Sequence, residues 1–469
     1  MARQQRRAFN LAIACFRQAD AGLQDPMGPD LKRTALRVLS KWLSSKNQFI
    51  ELINSAQTAI PMVDLVCGAL GMREVMWTYR NPVNVIFGSG EFGKLADLIA
   101  GRRYALVTYP ESVFSDLSQQ LATKAGVPIL SVSDVAPNPD YVRLKDQSAR
   151  FGKVGEKVEV IVALGGGSVI DSAKVFASAN GNFDNVARYL ETKTGEEDLS
   201  FVPIIAVPTT AGTGSEVTCW ATVWNEAQGK KYSLAHPRLY PETALLDPEL
   251  TLEKPIGLTI ATGLDSLSHS IESIWNVNAN PISARHAVAA ARLIIQTLPM
   301  VVRDTGSLAL RSAMAEASLN AGLAFSNTKT AIAHNLSYPI TLGWGVQHGI
   351  ACSFTLPTVL RSVIGIGGFR ETALREIFGP DLAAGADQLA EFLNGLGVGT
   401  RFADHGIRFQ ACADIIEEAF VGERGKNFVG TKESFIAAAQ QQEVISQLQS
   451  HETQGDHMLS SPGEESKQA

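Results

Sequence analysis

Asp265 and His269, in the stretch "GLDSLSH" at 263–269, stand four positions apart inside a segment with helical periodicity. A carboxylate and an imidazole at that spacing share one helical face, one turn apart, and can hold a cation between them. Downstream, "AIAHNLSYPITLGWGVQHGIACSF" adds His334 and His348 among apolar residues and glycines. An unpartnered imidazole is costly to bury in such surroundings. The chain has only eight histidines, and three of them join Asp265 within 265–348. Three imidazoles and a carboxylate form an N₃O donor set for a divalent ion, Fe²⁺, Zn²⁺, Mn²⁺ or Co²⁺, and residue type does not choose among these.

Glycines give a second chemical signal. "ALGGGSVIDSAK", residues 163–174, ends an apolar run in Gly165, Gly166, Gly167 and Ser168 before a helical segment begins. Adjacent glycines let backbone N–H groups approach a pyrophosphate, and the positive end of the following helix favours its charge. "PTTAGTGSEVT" at 208–218 follows another apolar run and has the hydroxyl and glycine content of a ligand loop. "GSGEFG", Gly88 to Gly93, competes for the cofactor because it fits G-x-G-x-x-G between a strand and a helix. That pattern needs a second strand ending in an acidic residue, whereas the strand in "YALVTYPE" is read to end at Tyr109.

The elements that must position these groups are legible in the texture. From about residue 80, the runs "VNVIF", "YALVTY", "PILSVS", "VEVIVALGG" and "FVPIIAVP" alternate with helical stretches. Continuously apolar strands of this kind belong to a parallel sheet covered on both faces, with ligands at the strands' carboxyl ends. After Pro255 helical periodicity takes over. The reading is therefore an α/β nucleotide-binding domain at 76–253 followed by an all-α metal-binding domain at 254–442. Residues 1–75, whose first twenty include four arginines before Asp20, are expected to be a separate helical extension, with Met76 as an alternative start. Their charge resembles a transit peptide without its serines, and a surface helix is preferred. Residues 443–469 are expected to be a disordered tail.

Composition bounds the partners. The chain has 469 residues, 45% hydrophobic and 19% charged, with a formal net charge of -6. These values fit a globular protein that handles small molecules, and they argue against nucleic acid or an anionic membrane as partner. The five cysteines are scattered without a C-x-x-C pair, as in a reducing cytoplasm. No apolar run approaches membrane-spanning length.

Taken together, G-G-G-S-x-x-D-x-A-K (165–174), P-T-T-A-G-T-G-S-E (208–216), D-P-E-L (247–250), G-x-D-x-L-x-H (263–269) and H-x₁₃-H (334–348) resemble the iron-containing, or group III, alcohol dehydrogenase family. The resemblance covers about 76–435. It implies a metal and a nicotinamide facing each other in a cleft between the two domains, with Asp265, His269, His334 and His348 as the metal ligands. Fe²⁺ is the implied ion, with Zn²⁺ or another divalent ion as alternative. It also implies the glycine loop, with Asp171 and Lys174, as the pyrophosphate site, and Thr209, Thr210 and Thr213 near the ribose and nicotinamide of NAD or NADP. A homo-oligomer is expected. "MWTYRNPVNVIFG" and "SNTKTAIAHNLSYPIT" further resemble the branch that includes phosphonoacetaldehyde reductases, which make 2-hydroxyethylphosphonate.

Two departures from the family pattern matter. Tyr109 stands where many members have an acid that repels a 2′-phosphate, which opens the site to NADPH, alone or with NADH. Tyr338 stands where some members have a proton-moving histidine, and a phenol near its ordinary pKa of about 10 is a poor base. Lys329, five residues before His334, is the candidate for an anionic tail on the substrate. The alternatives are a glycerol dehydrogenase-like polyol dehydrogenase or other short-chain alcohol dehydrogenase, a dehydroquinate-synthase-like lyase, and a non-catalytic metal- or nucleotide-binding protein.

Overall fold

The computed structural model describes residues 76–154, 157–442 and 444. The expected extension over 1–75 and the expected tail lie outside the described residues, apart from Val444, which is buried and whose carbonyl accepts from Phe402 N. Contacts divide the chain after Trp77, and the sheet and helices described belong to the unit that begins at Thr78.

The five apolar runs form strands β1 (Asn84–Phe87), β2 (Tyr104–Thr108), β3 (Leu130–Val132), β4 (Val160–Gly165) and β5 (Ile204–Pro208). Three further strands were not legible in the pattern. β6 (Trp220–Asn225) and β7 (Lys230–Ala235) pair antiparallel as a hairpin, and β8 (Thr243–Leu246) joins the main sheet. β6 carries the polar Thr222 and Asn225 among its apolar residues, β7 opens on Lys230 and Lys231, and β8 lies in a short run after Pro241 with no helical stretch before it. The six-stranded sheet is parallel throughout, in the order β1-β8-β5-β4-β2-β3. From β2 the chain steps outward to β3, and from β4 it steps the other way to β5 and β8. The carboxyl ends of β2 and β4 therefore flank the crevice where a doubly wound sheet binds its ligand.

Helices α1 (Leu95–Ile99), α2 (Ser112–Ala125), α3 (Tyr141–Phe151), α4 (Gly167–Ala179) and α5 (Phe183–Thr192) cover this sheet. β2, β4 and β5 are buried along their whole length, as their composition requires. The helical half begins with α6 (Ile256–Glu272), α7 (Pro281–Arg303), α8 (Leu308–Thr328), α9 (Ile332–Trp344) and the single turn α10 (His348–Ala351). It continues through α11 (Leu356–Ser362), α12 (Gly368–Phe378), α13 (Leu382–Gly395), α14 (Phe409–Val421) and α15 (Lys432–Gln441). A separate apolar core holds these helices together, with Leu264, Leu267 and Ile271 of α6 in it. Every residue of α6 from Gly263 to Glu272 is buried, so its polar residues lie inside protein, where each needs a partner.

Candidate metal and nucleotide site

Asp265 and His269 lie on α6, His334 on α9 and His348 at the start of α10. Folding brings the four together. Asp265 Oδ1 stands 3.7 Å from His269 Nε2, 3.4 Å from His334 Nε2 and 4.0 Å from His348 Nε2. The close approach of α10 to α6 depends on Gly349, because a Cβ there would fall 1.8 Å from Ala261 O and 3.2 Å from Asp265 Cβ.

Hydrogen bonds behind the imidazoles orient them. Glu272 Oε2 lies 2.6 Å from His334 Nδ1, leaving Nε2 to face Asp265. Ser337 Oγ donates to His334 O at 2.7 Å, so His348 Nδ1, 3.3 Å from the same hydroxyl, is the donor there and its Nε2 lone pair faces Asp265. His269 stacks between Phe325, at 4.1 Å, and His334, at 4.6 Å between centroids.

A divalent ion fits this arrangement. His334 Nε2 is buried with no hydrogen-bond partner of good geometry, a costly state that coordination would relieve. Without an ion, burial opposes charge on His334, but Glu272 and Asp265 outweigh it and push its pKa up to about 9. Burial holds His269 down to about 4 and His348 down to about 3. The same burial would raise Asp265, yet the surrounding imidazoles hold it well below the usual carboxylate range. Cys352 Sγ shares the spot, within 4.8 Å of the donors of Asp265, His334 and His348. Burial keeps its thiol protonated, however, and it donates toward Asp265 Oδ1. His269 Nε2, 3.7 Å from Asp265 Oδ1, and Cys352 Sγ thus both lie within reach of the same oxygen, and His269 is the expected fourth donor.

These residues close one end of a cavity of about 890 Å³, which the carboxyl ends of β2, β4 and β5 also line. Gly166, Gly167, Ser168 and Asp171 face it from the start of α4, with Thr209, Thr210 and Thr213 beside them and Tyr109 at the end of β2. Gly167 backs directly onto Thr213, whose Oγ1 would lie 2.6 Å from a Cβ added there. Gly165 and Lys174 do not line the cavity. Lys174 is buried and donates to Ser215 O, Ser215 Oγ and Trp220 O at 2.7, 2.9 and 2.8 Å. Its place is to pin the threonine loop rather than to face a ligand. The competing "GSGEFG" loop is engaged elsewhere, since Gly90 N and Phe92 N donate to the Asp247 carboxylate.

Tyr338 lines the metal end of the cavity, its ring parallel to His348 at 6.1 Å. Burial would raise its phenol, but Lys231 and Arg424 outweigh this and bring it down to about 8, closer to the range of a proton relay than the sequence suggested. Lys329 stands apart. Its side chain is exposed and does not line the cavity, and its positive φ of 63° ends α8. The cations that line the cavity are instead Lys231 on β7 and Arg424, beside Tyr338, and Lys254, which donates to Thr262 Oγ1 at 2.8 Å. Sequence reasoning missed Glu272, Glu111, Lys231 and Arg424. Of these Glu272 left a signal, three residues beyond His269 on the face that carries Asp265, and so did Glu111, the acid two residues past Tyr109 in "YALVTYPE".

The family model for iron-containing alcohol dehydrogenases matches residues 82–248, and the model for the C-terminal domain of the Fe-containing alcohol dehydrogenase family matches 259–442. The chain is 30% identical over 360 residues to the NAD-dependent methanol dehydrogenase of Bacillus methanolicus, covering 74% of this chain and 93% of that protein. It is 36% identical over 243 residues to the phosphonoacetaldehyde reductase of Streptomyces viridochromogenes, covering 50% of this chain and 60% of the relative. Among solved structures, the sulfoacetaldehyde reductase of Bifidobacterium kashiwanohense in complex with NAD+ superposes with a TM-score of 0.72 at 32% identity, over 79% of this chain and 99% of that one. Two matched domains in the order of the fold, and a relative covered almost end to end, make this chain an oxidoreductase of the iron-containing alcohol dehydrogenase family.

Proposed function

We propose that the chain is a metal-dependent, NADH-linked aldehyde reductase and alcohol dehydrogenase whose preferred substrate is a two-carbon aldehyde with a phosphonate tail. On that reading it reduces phosphonoacetaldehyde to 2-hydroxyethylphosphonate. The observation that carries the reading is the convergence of Asp265, His269, His334 and His348 at one end of a cavity whose other wall is the α4 N-terminus. The names of two relatives support the tail, because phosphonate and sulfonate are both tetrahedral oxyanions on acetaldehyde.

The Gly166–Ser168 amides and the positive end of α4 suit a pyrophosphate, and the hydroxyls of Thr209, Thr210 and Thr213 offer hydrogen bonds beside it. When bound, a divalent ion supplies Lewis acidity at the carbonyl oxygen, and the nicotinamide supplies hydride to the carbon. Tyr338 Oη holds or releases the proton that accompanies reduction. Fe²⁺ is the proposed ion on family grounds, with Zn²⁺ as alternative. NADH is preferred over NADPH because Glu111, two residues past Tyr109, brings a carboxylate to the cavity wall where a 2′-phosphate would be repelled. The three described cysteines are unpaired, in keeping with a cytoplasmic location. Among the described residues no helix is long and apolar enough to cross a membrane.

The test loads anaerobically prepared protein with Fe²⁺ and measures oxidation of NADH and NADPH with phosphonoacetaldehyde, sulfoacetaldehyde and propanal. A clear kcat/KM preference for the anionic aldehydes is expected. Equal or better rates with propanal would discard the anionic substrate and retain the dehydrogenase. The metal assignment is checked separately with His348→Ala, which should bind NADH but lose both metal and turnover; a metal-free variant with wild-type rates would overturn it.

A further inference from the structure

Lys231 and Arg424 both line the metal end of the cavity, and neither makes an ion pair with a carboxylate among the described residues. Their situations differ. Lys231 Nζ sits 3.6 Å from the Tyr338 ring centroid and 5.1 Å from that of Trp224, so its charge is engaged by aromatic faces. The carboxylate whose field reaches it, Asp171, already accepts from Ser215 Oγ at 2.6 Å and Thr222 N at 2.8 Å. The Arg424 guanidinium, half-buried in the cavity wall, has no side-chain hydrogen bond among the described residues.

The loop that carries Arg424 is firmly seated. Asn335, the neighbour of His334 on α9, donates from Nδ2 to Ala419 O at 2.5 Å. Gly422 backs onto the same amide, which would lie 2.4 Å from an added Cβ, and at Gly425 an added Cβ would fall 2.0 Å from Ala419 O, so a side chain there is excluded by backbone. Beyond the arginine, Asn427 Nδ2 donates to Thr330 O at 2.9 Å and Asn427 O accepts from Val277 N at 2.8 Å. The Arg424 backbone is thus held against the helix that presents His334 and Tyr338. Such support gives a recognition group a defined position relative to the reacting centre.

A guanidinium kept half out of water, beside a second cation and without an acid, is an arrangement that an anionic ligand completes. We propose that Arg424 is the specificity-determining residue for the substrate, holding its tetrahedral oxyanion tail through two parallel N–H···O bonds, while Lys231 adds positive potential. The assignment rests on the anionic-aldehyde reading above and replaces Lys329 as the source of charge.

The experiment compares wild-type, Arg424→Gln and Arg424→Lys enzyme, Fe²⁺-loaded, by the ratio of kcat/KM for phosphonoacetaldehyde to that for propanal. Titration calorimetry with ethylphosphonate, which has the tail and no carbonyl, is run on the same samples. Arg424→Gln should lower the ratio about 10- to 100-fold, mainly through KM, the scale of a lost charged hydrogen bond, and should abolish ethylphosphonate binding. Arg424→Lys, which keeps the charge and loses the fork, should bind ethylphosphonate about tenfold more weakly, and it serves if the glutamine variant fails to fold. Wild-type ratio and affinity in either folded variant would overturn the role of Arg424 while leaving the substrate class standing. A wild-type enzyme with no anionic preference and no ethylphosphonate binding would overturn both.

Discussion

From the side away from Asp265, Glu272 orients His334, one of the proposed metal ligands. Its carboxylate accepts from Ala333 N and His334 N at 2.6 and 3.2 Å and faces His334 Nδ1 at 2.6 Å, so it fixes the ring, its tautomer and the start of α9 together. Partners of this kind typically contribute 10- to 100-fold in metal affinity. Glu272→Gln keeps the shape and removes the charge, and should weaken retention of Fe²⁺ about tenfold against a chelator series while the protein stays folded. At the nucleotide end, Glu111→Lys should raise the NADPH-to-NADH ratio of kcat/KM at least about tenfold by replacing repulsion with attraction. An unchanged ratio would leave Tyr109 to decide coenzyme choice.

Among the elements, α10 is only one turn long, yet it supplies His348 and crosses α6 over Gly349. Gly349→Ala places a methyl against Ala261 O, and the turn can only move outward, carrying His348 from Asp265. A cost of about 1–3 kcal/mol is expected from overpacking, read as a lower melting temperature, with loss of metal as the larger effect. Retention of full metal content would show that α10 can shift without moving its histidine. The β6–β7 hairpin works in a similar way from the other side of the cavity, because its register sets Trp224 opposite Lys231 and turns both toward the site.

At the scale of the whole molecule, the sheet and the helices meet along a seam that contains Glu216. This carboxyl is only 2% exposed, close to Thr210, Asp247 and Ser318. Burial raises its pKa from 4.5 to about 7, and the attraction of Lys174 only partly offsets this. A raised acid favours the folded state fully below its unfolded pKa, and that contribution is lost as pH climbs through the folded value. Glu216→Gln should therefore match wild type near pH 4.5 and become progressively more stable relative to it up to pH 7. Above that the gain levels off on the order of 3 kcal/mol. Denaturant unfolding at pH 5 and pH 8 checks the sign, and a gain that shrinks with rising pH would contradict it.

The amino-acid sequence by itself determined the class of the molecule and its chemical vocabulary. Short continuous apolar runs between turn signals mark strands of a parallel sheet, of which β2, β4 and β5 are covered on both sides and the edge strand β1 is not, and a glycine triplet at the end of one of them marks a helix N-terminus open to phosphate. A carboxylate four residues before a histidine commits both to one helical face. These features are local, set by backbone geometry and periodicity within a few residues, so they can be read along the chain. Tertiary structure alone decided which glycine loop is free, since Asp247 must fold back to take the amides of Gly90 and Phe92. It also decided which cations reach the cavity. Lys329 is near His334 in sequence but turned away at a helix end, whereas Arg424 and Lys231, distant in sequence, reach the cavity through long-range contacts. The direction of a side chain and the electrostatic balance of a buried group depend on neighbours brought from elsewhere in the chain, and no linear spacing encodes them.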